Sequence, residues 1–260
     1  MRYRLVTFDL DDTLAVSKAT IEPRMAKLLG ELLEQVPVCI VSGGRFEQFD
    51  TQVLRHLHLD EDALRRLHLL PTCGTRYYLW GAEGWHQVYA EDLTAAEKQR
   101  VIEVLTTGAK ELGLWESETW GDIIEDRGSQ ITFSALGQQA PPRNKYEWDP
   151  DGSKKERLRA YASQRLPDLE VRSGGSTSVD VTKKGVDKAY GMAKILDRLQ
   201  LSRADVLFVG DRLDPGGNDY PVRAMGIDCV AVHGWEDTAD KMERLLSDGT
   251  VDLLDGPPRA

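Results

Sequence analysis

The sequence LVTFDLDDTL at residues 5–14 joins a short apolar run to a group of acidic residues. The apolar run predicts a buried strand, and Asp9 and Asp11 follow where that strand ends. Carboxylates on alternate residues of an extended chain lie about 7 Å apart and point the same way, and a turn lets them converge on one cation. Mg²⁺ prefers such oxygen ligands, and a carboxylate can also be a nucleophile toward phosphorus. A strand that ends in a polar turn, with Asp12-Thr13 capping the next helix, explains the stretch equally well.

Composition restricts the class of protein. The chain has 260 residues, of which 41% are hydrophobic and 29% charged, as in folded globular proteins. Acidic residues outnumber basic ones 43 to 33, for a formal charge of -10. Nucleic acid is therefore disfavoured as a partner, because phosphate backbones require a basic surface. We find no signal-peptide pattern and no apolar run long enough to span a membrane, so we expect a cytoplasmic protein without a membrane partner.

The first 80 residues alternate short apolar runs with helical patterns. Val36–Val41 and Leu67–Leu70 predict strands, and helices are predicted from Pro23 and over Phe46–His58. This order is typical of a parallel sheet with helices on both faces. It predicts an α/β fold with a doubly wound, Rossmann-like core.

The middle of the chain has a different order of elements, α-β-β-α-β-β, which predicts an inserted α+β cap with an antiparallel sheet. The predicted helices and strands are Thr94–Leu112, Asp122–Asp126, Gln130–Leu136, Asp151–Arg165, Leu169–Arg172 and Ser176–Thr182. The core pattern returns from Gly185. We therefore predict a core over residues 1–82 and 185–260, interrupted by a cap over residues 83–184.

Two further strand ends carry polar groups. Ser42-Gly43-Gly44-Arg45 follows Val41, and its glycine N–H groups can approach an anion, although such a sequence is common in turns. Asp211 follows the strand ending at Val209, and Asn218-Asp219 comes after a glycine turn. Ligands of open α/β sheets bind beyond the carboxyl ends of the strands, so we expect these groups to cluster, with Asp211 as a metal ligand.

Lys188 lies in the first turn of a predicted helix. Cations are unfavourable at a helix N-terminus, so a lysine there indicates an anionic partner. The adjacent Lys183 and Lys184 are more simply interpreted as solvated.

Together these residues resemble the haloacid dehalogenase superfamily of phosphotransferases. Asp9-Leu10-Asp11-Asp12-Thr13, Ser42, Lys188, and Gly210-Asp211 with Asn218-Asp219 match its four motifs in order. The resemblance implies that Asp9 is the nucleophile and Asp11 the general acid and base. For Asp11 to carry a proton beside the ionised Asp9, its pKa should be raised by the like charge, an effect that the metal opposes. The resemblance also implies that Ser42 and Lys188 hold the phosphate. Mg²⁺ would be bound by Asp9, the main-chain carbonyl of Asp11, and Asp211, and Asp219 would contact the metal or orient Lys188.

The cap resembles that of the subclass containing sugar phosphatases and eukaryotic-type phosphomannomutases. Residues 174–181 are similar to the sugar-contacting strand of the mutases, and period-two alternation places Ser178 and Asp180 on its polar face. The mutases hold a distal phosphate with several cap arginines, of which Arg127 is present. Trp120 and Gly137-Gln138 stand where two others are expected, and losing charge-assisted bonds of about 1.5–3 kcal/mol each would weaken such a clamp. We predict substrate contacts from these residues: Thr13, Gly43, Gly44, Arg45, Arg127, Gln130, Gln138, Ser178, Asp180 and Asn218.

The sequence therefore predicts a Mg²⁺-dependent phosphatase that acts on a small phosphorylated sugar through an aspartyl-phosphate. The alternative is a phosphomannomutase, in which a sugar hydroxyl rather than water accepts the phosphoryl group. A phospho-accepting receiver domain is less favoured, because here the nucleophile follows the first strand and a cap is inserted. A catalytically silent binding protein is disfavoured because no core position is missing. The oligomeric state stays open, although mutase relatives pair through their caps, which would give a homodimer.

Overall fold

The structure is a computed structural model that describes residues 2–174 and 176–254, and the side chain of Pro142 is also outside the description. Gly175, in the segment likened to the sugar-contacting strand of the mutases, lies outside the described residues. Residues 255–260, at the end of the predicted core segment, also lie outside them. The chain divides into two compact units, Met1–Ala90 with Asp187–Ala260, and Glu91–Val186.

The first unit is built on a seven-stranded sheet. Its strands, in chain order, are β1 (Leu5–Phe8), β2 (Val38–Val41), β3 (Leu67–Leu70), β4 (Arg76–Gly81), β5 (Gly84–Ala90), β10 (Val206–Gly210) and β11 (Asp228–Ala231). The spatial order is β11-β10-β1-β2-β3-β4-β5. Strands β11 to β3 pair in parallel, and β4 and β5 add an antiparallel hairpin.

Alternate residues of the central strands enter two separate apolar clusters, one on each face of the sheet. Val6 and Phe8 of β1 pack in one cluster, and Leu5 packs in the other. The helices of this unit are α1 (Pro23–Gln35), α2 (Phe46–Gln52), α3 (Glu61–Leu64), α7 (Lys188–Leu199), α8 (Tyr220–Ala224) and α9 (Trp235–Asp248). α1 and α9 supply buried residues to the first cluster, and α7 to the second. The predicted doubly wound core is confirmed.

The second unit carries a four-stranded antiparallel sheet. Its elements are α4 (Ala95–Glu111), β6 (Ile124–Asp126), β7 (Gln130–Ser134), α5 (Pro142–Trp148), α6 (Ser153–Arg165), β8 (Leu169–Ser173) and β9 (Ser178–Lys183). The strand order in the sheet is β6-β7-β9-β8. α4 begins with a capping box between Thr94 and Glu97. Val101 and Leu158 of the two longer helices pack with Ile131 and Val179 of the sheet in one apolar cluster. The predicted antiparallel cap sheet is confirmed.

Several bounds differ from the sequence prediction. The predicted helix Phe46–His58 ends at Gln52 and continues as a 3₁₀ turn, Leu54–His56. The segment between the predicted elements Gln130–Leu136 and Asp151–Arg165, for which no helix is predicted, contains α5. Pro142 occupies the first helical turn, where its missing N–H group is tolerated. The first unit extends to Ala90, beyond the predicted boundary at residue 82, because β4 pairs with β3 and so joins the β4–β5 hairpin to the main sheet. Within the described residues no helix combines the length and apolarity needed to cross a membrane.

Candidate active site

The site lies at the carboxyl ends of three adjacent parallel strands. Asp9 follows β1, Ser42 follows β2, and Asp211 follows β10, and β1 lies between the other two. The β1 residues are fully buried, which fixes the exit of the strand and so the position of Asp9. Parallel pairing is the reason why three residues distant in sequence reach the same edge.

Lys188 is the charged centre of this edge. It is the first residue of α7, its side chain is 1% exposed, and its Nζ lies 2.6 Å from Asp9 Oδ1 and 2.5 Å from Asp219 Oδ1. These two carboxylates are the anionic partners expected for a lysine at a helix N-terminus. Although burial opposes ionisation of the ammonium, the two carboxylates raise the pKa of Lys188, so the lysine stays charged.

Asp219 is held on both oxygens. Its Oδ1 accepts from Lys188, its Oδ2 accepts from the main-chain N–H of Arg212 at 3.1 Å, and its side chain is fully buried. The space is tight, since a Cβ at Gly210 would lie 2.5 Å from Asp219 Oδ2. Of the two roles left open for Asp219, the hydrogen bonds favour orientation of Lys188. The neighbouring Asn218 is exposed.

The arrangement fits a divalent cation. Ligand oxygens of Asp9, Asp211 and Asp219 lie within 4.8 Å of one another, and Lys188 pairs with Asp9 and Asp219. Burial raises the pKa of Asp9 to about 8; Lys188 opposes this rise and Asp219 adds to it. Burial and the Asp219 charge also raise the pKa of Asp211. The uncompensated negative charge and the hard oxygen donors are both suited to Mg²⁺.

Asp11 has a different environment from the one we expected. Its Oδ1 accepts from the main-chain N–H of Lys18 at 2.8 Å, and its Oδ2 accepts from Lys18 Nζ at 3.0 Å and Gln48 Nε2 at 2.8 Å. Burial acts to raise the pKa of Asp11, but the Lys18 charge and these hydrogen bonds lower it overall. The expectation that the charge of Asp9 raises this pKa is therefore wrong: the donors around Asp11 favour its ionised form.

The Ser42 loop has the form expected of an anion-binding turn. Ser42 is buried, and its Oγ accepts from the N–H of Gly44 at 3.1 Å. Among the described residues nothing lies within 4 Å of a Cβ built at Gly43, so one side of the loop is open there. Arg45 extends toward Glu47, with Nε 3.8 Å from its carboxylate. The buried hydroxyl of Thr13 has no hydrogen-bond partner among the described residues.

The predicted cap contacts share one polar face of the second sheet. Thr132 Oγ1 donates to Asp180 Oδ1 at 2.7 Å and accepts from Gln130 Nε2 at 2.9 Å. Gln138 Nε2 donates to Ser134 Oγ at 2.6 Å, and this oxygen lies 3.2 Å from Ser178 Oγ. The alternation expected for β9 is thus present, β7 shows the same alternation, and the polar side chains are linked in two short chains.

Arg127, the cap arginine that matches the mutase pattern, is paired with a neighbouring carboxylate. Arg127 donates to Glu125 Oε2 from Nε at 2.9 Å and from Nη2 at 2.7 Å, and the two side chains are only 10% and 17% exposed. The two other positions considered for arginines are neighbours in space, because a Cβ at Gly137 would lie 2.3 Å from the carbonyl oxygen of Trp120. A cation stands beside them, since Lys145 Nζ donates to the carbonyl oxygen of Gln138 at 2.8 Å.

Comparison with known proteins accounts for both units. A family model described as eukaryotic phosphomannomutase matches residues 25–248. The chain belongs to this family. It is 27% identical over 258 residues to a probable phosphomannomutase of Caenorhabditis elegans, covering 94% of this chain and 96% of the relative. It is 26% identical over 228 residues to phosphomannomutase 1 of Homo sapiens, covering 85% and 83% of the two chains.

Solved structures show the fold of the superfamily. A haloacid dehalogenase-like hydrolase from Bacteroides thetaiotaomicron has a TM-score of 0.63 at 16% identity, over 94% of this chain and 99% of its own. A Plasmodium falciparum IMP-nucleotidase has a TM-score of 0.69 at 14% identity, over 94% and 68%. At these identities the likeness is one of fold, the haloacid dehalogenase α/β fold with an antiparallel cap sheet.

Sequence reasoning missed Lys18 and Gln48 as members of the site. Lys18 lies in the turn after Asp11 with a φ of 63°, and Gln48 lies in α2, and neither position follows a strand. Their ends meet, since Lys18 Nζ donates to Gln48 Oε1 at 2.8 Å. No periodic pattern marks either residue, although the position of Gln48, shortly after the Ser42 loop, was a usable signal.

Proposed function

We propose that the chain is a Mg²⁺-dependent hexose-phosphate mutase that interconverts sugar 1-phosphates and 6-phosphates, with mannose phosphates as the first substrates to test. The observation that carries this proposal is the extent of the family match over residues 25–248, which includes the cap and the segments of Ser42, Lys188 and Asp211. A fold shared with hydrolases does not by itself distinguish the two activities, so the match across the cap has the greater weight.

The core residues have the chemistry that phosphoryl transfer requires. A carboxylate oxygen of Asp9 attacks phosphorus in line, the bond from phosphorus to the sugar oxygen breaks, and Asp11 gives that oxygen a proton. In the second half, Asp11 takes the proton of a sugar hydroxyl, which attacks the aspartyl-phosphate and releases Asp9. Ser42 and Lys188 hold the phosphoryl oxygens, and Asp219 orients Lys188.

The metal site would comprise Asp9, Asp211 and the main-chain carbonyl of Asp11. When bound there, Mg²⁺ would offset the negative charge of the transferred group. Asp219 remains with Lys188 in this assignment, because both of its oxygens already accept hydrogen bonds.

The surroundings of Asp11 are suited to the mutase reaction. In a phosphorylated mutase the first event is deprotonation of a sugar hydroxyl, which needs Asp11 ionised at the outset. Lys18 and Gln48 both donate to this carboxylate and so favour that form. Lys145, beside Gln138, is a candidate to bind the second phosphate in place of a missing arginine.

A sugar-phosphate phosphatase is the second candidate, and the charge of the cap face favours it. Arg127 is neutralised by Glu125, and Arg172 donates to the carbonyl oxygen of Val186 and lies near Glu170. A face with balanced charge is better suited to neutral hydroxyls than to a second phosphate. In this case water would attack the aspartyl-phosphate.

Phosphorus NMR of mannose 1-phosphate with the purified protein and Mg²⁺ tests the proposal, in the presence and absence of a trace of glucose 1,6-bisphosphate. We expect mannose 6-phosphate to form only with the bisphosphate, which phosphorylates Asp9. Accumulation of inorganic phosphate alone would contradict the mutase proposal and support the phosphatase. An Asp9→Asn variant is the control, because it removes the nucleophile and should abolish either signal.

A further inference from the structure

Three consecutive residues between β3 and β4 have a left-handed backbone. Thr72, Cys73 and Gly74 have φ angles of 48°, 55° and 83°. Only glycine adopts this region freely, and a β-branched residue such as threonine is a clear outlier there. A conformation of this kind persists only where surrounding contacts impose it, and it often lies near a functional site.

One side of this turn holds the Ser42 loop through the main chain. The N–H of Cys73 donates to the carbonyl oxygen of Ser42, and the N–H of Thr72 donates to that of Gly44, both at 2.9 Å. Ser42 and Gly44, which flank Gly43, are therefore held in place through their carbonyl oxygens. The two N–H groups belong to Thr72 and Cys73, so the residues with positive φ make this contact themselves.

The other side of the turn touches α7 backbone to backbone. A Cβ at Gly191 would lie 2.7 Å from the carbonyl oxygen of Cys73, and one at Gly74 would lie 2.3 Å from Gly191 Cα. Gly191 is three residues after Lys188, so the two share a face of the helix. Both residues are buried on that face.

Side chains brace the turn itself. Thr75 Oγ1 donates to the carbonyl oxygen of Thr72 at 2.8 Å and lies 2.6 Å from Thr72 Oγ1. Tyr89 of β5 donates its hydroxyl to the carbonyl oxygen of Gly74 at 2.9 Å. Thr72 and Thr75 are both buried, which is consistent with a rigid support.

We propose that the left-handed turn Thr72-Cys73-Gly74, packed on Gly191, sets the distance between the Ser42 hydroxyl and the Lys188 ammonium. Its residues are positioning residues, which act on the transferred phosphoryl group through Ser42 and Lys188. The inference rests on the proposed function only in assigning phosphate binding to these two residues, and it is independent of the sugar and of the acceptor.

Two variants perturb the left-handed turn or its contact with α7 in different ways. Gly191→Ala pushes α7 away from the turn, and Thr75→Val removes the brace without adding volume. Gly30→Ala is the matched control for the first, since Gly30 is also a helical glycine and its Cβ would lie 3.0 Å from Leu59 Cδ2. Gly226→Ala is a control for loss of stability alone, because Gly226 has a φ of 85° and open space around it.

The readout is the dissociation constant of orthovanadate in the presence of Mg²⁺, measured by calorimetry well below each melting temperature. A displacement of about 1 Å between groups that hold one ligand has large effects, so we expect at least about 10-fold weaker binding for Gly191→Ala and a smaller loss for Thr75→Val. With any substrate that is turned over, kcat should fall more than KM changes. The two controls should lower the melting temperature and leave vanadate binding within about 2-fold.

Each outcome decides the inference. If Gly191→Ala and Thr75→Val both bind vanadate like the wild type and lose only thermal stability, the turn is merely structural and the inference is overturned. If the wild type binds no vanadate, phosphate binding by Ser42 and Lys188 fails, and the inference fails with it. If the wild type binds vanadate and the variants do not, but no mutase or phosphatase activity is found, the inference stands and the proposed function falls.

Discussion

The Asp219 carboxylate pairs with the buried ammonium of Lys188, with its Oδ1 2.5 Å from the Lys188 Nζ. The lysine is thereby held by two carboxylates, those of Asp9 and Asp219. We expect Asp219 to act on catalysis through the position of Lys188.

Asp219→Asn should therefore lower kcat and leave metal affinity almost unchanged. The amide can still accept from the Arg212 N–H, but its charge is lost, and outer partners that orient a reacting group typically contribute about 10- to 100-fold. We expect the Mg²⁺ activation constant to change by less than about 3-fold, against a large increase for Asp211→Asn. Steady-state kinetics across Mg²⁺ concentrations measure both. An equally large increase in the Mg²⁺ constant for the two variants would make Asp219 a metal ligand.

Lys188→Met should reduce both activity and stability. Removing one preorganised donor to a transferred group costs about 10²- to 10³-fold in kcat. Leaving the buried carboxylates of Asp9 and Asp219 without their cation should cost about 3–5 kcal/mol of the free energy of unfolding, measured in urea without Mg²⁺. Lys188→Arg is the control that keeps the charge. A Lys188→Met protein of unchanged stability would contradict the assigned ion pairs.

Lys18→Met should move the acid limb of the pH-rate profile to higher pH. The Lys18 ammonium lowers the pKa of Asp11, so its removal lets that pKa rise, and the ionised form needed as base is lost at a higher pH. Profiles of kcat/KM give the shift. Lys18→Arg should retain the wild-type limb, as should Lys27→Met at an exposed lysine paired with Glu31. An unmoved acid limb would show that Lys18 does not govern the protonation of Asp11.

His68 should make the protein sensitive to acid. Burial, with a further contribution from Arg198, lowers the pKa of His68 from 6.5 to about 4, and its Nδ1 lies 2.8 Å from the Tyr77 hydroxyl. A lowered folded-state pKa means that the unfolded state takes up a proton first as the pH falls. The contribution is therefore complete above pH 6.5 and is lost between about pH 6.5 and 4.

Between pH 7 and pH 5 this group should remove about 2 kcal/mol from the free energy of unfolding. Urea unfolding at the two pH values measures the loss, and His68→Gln should show a smaller one. Tyr77→Phe keeps the histidine and should retain the pH dependence at a lower overall stability. Equal pH dependence in the wild type and His68→Gln would show that other groups account for it.

The sequence by itself determined the class of fold and the main members of the site. β1, β2 and β10 are recognisable because each is a short apolar run, and a parallel strand buried on both faces has that pattern. Asp9, Ser42 and Asp211 follow directly from those strand ends. The order of elements in the second unit likewise indicated its antiparallel sheet.

Only the tertiary structure decided what surrounds each of these groups. Gln48 and Asp11 are 37 residues apart, and Lys188 and Asp219 are 31 apart, so no local pattern records that they meet. The contact of Gly74 with Gly191 and the left-handed turn that it supports are of the same kind. Local sequence fixes the period and the ends of an element, whereas hydrogen bonds and charges between elements arise only when burial brings distant residues together. This is why the hydrogen-bond donors around Asp11 and the contact of Asp219 with Lys188 are evident from the structure and not from the motifs.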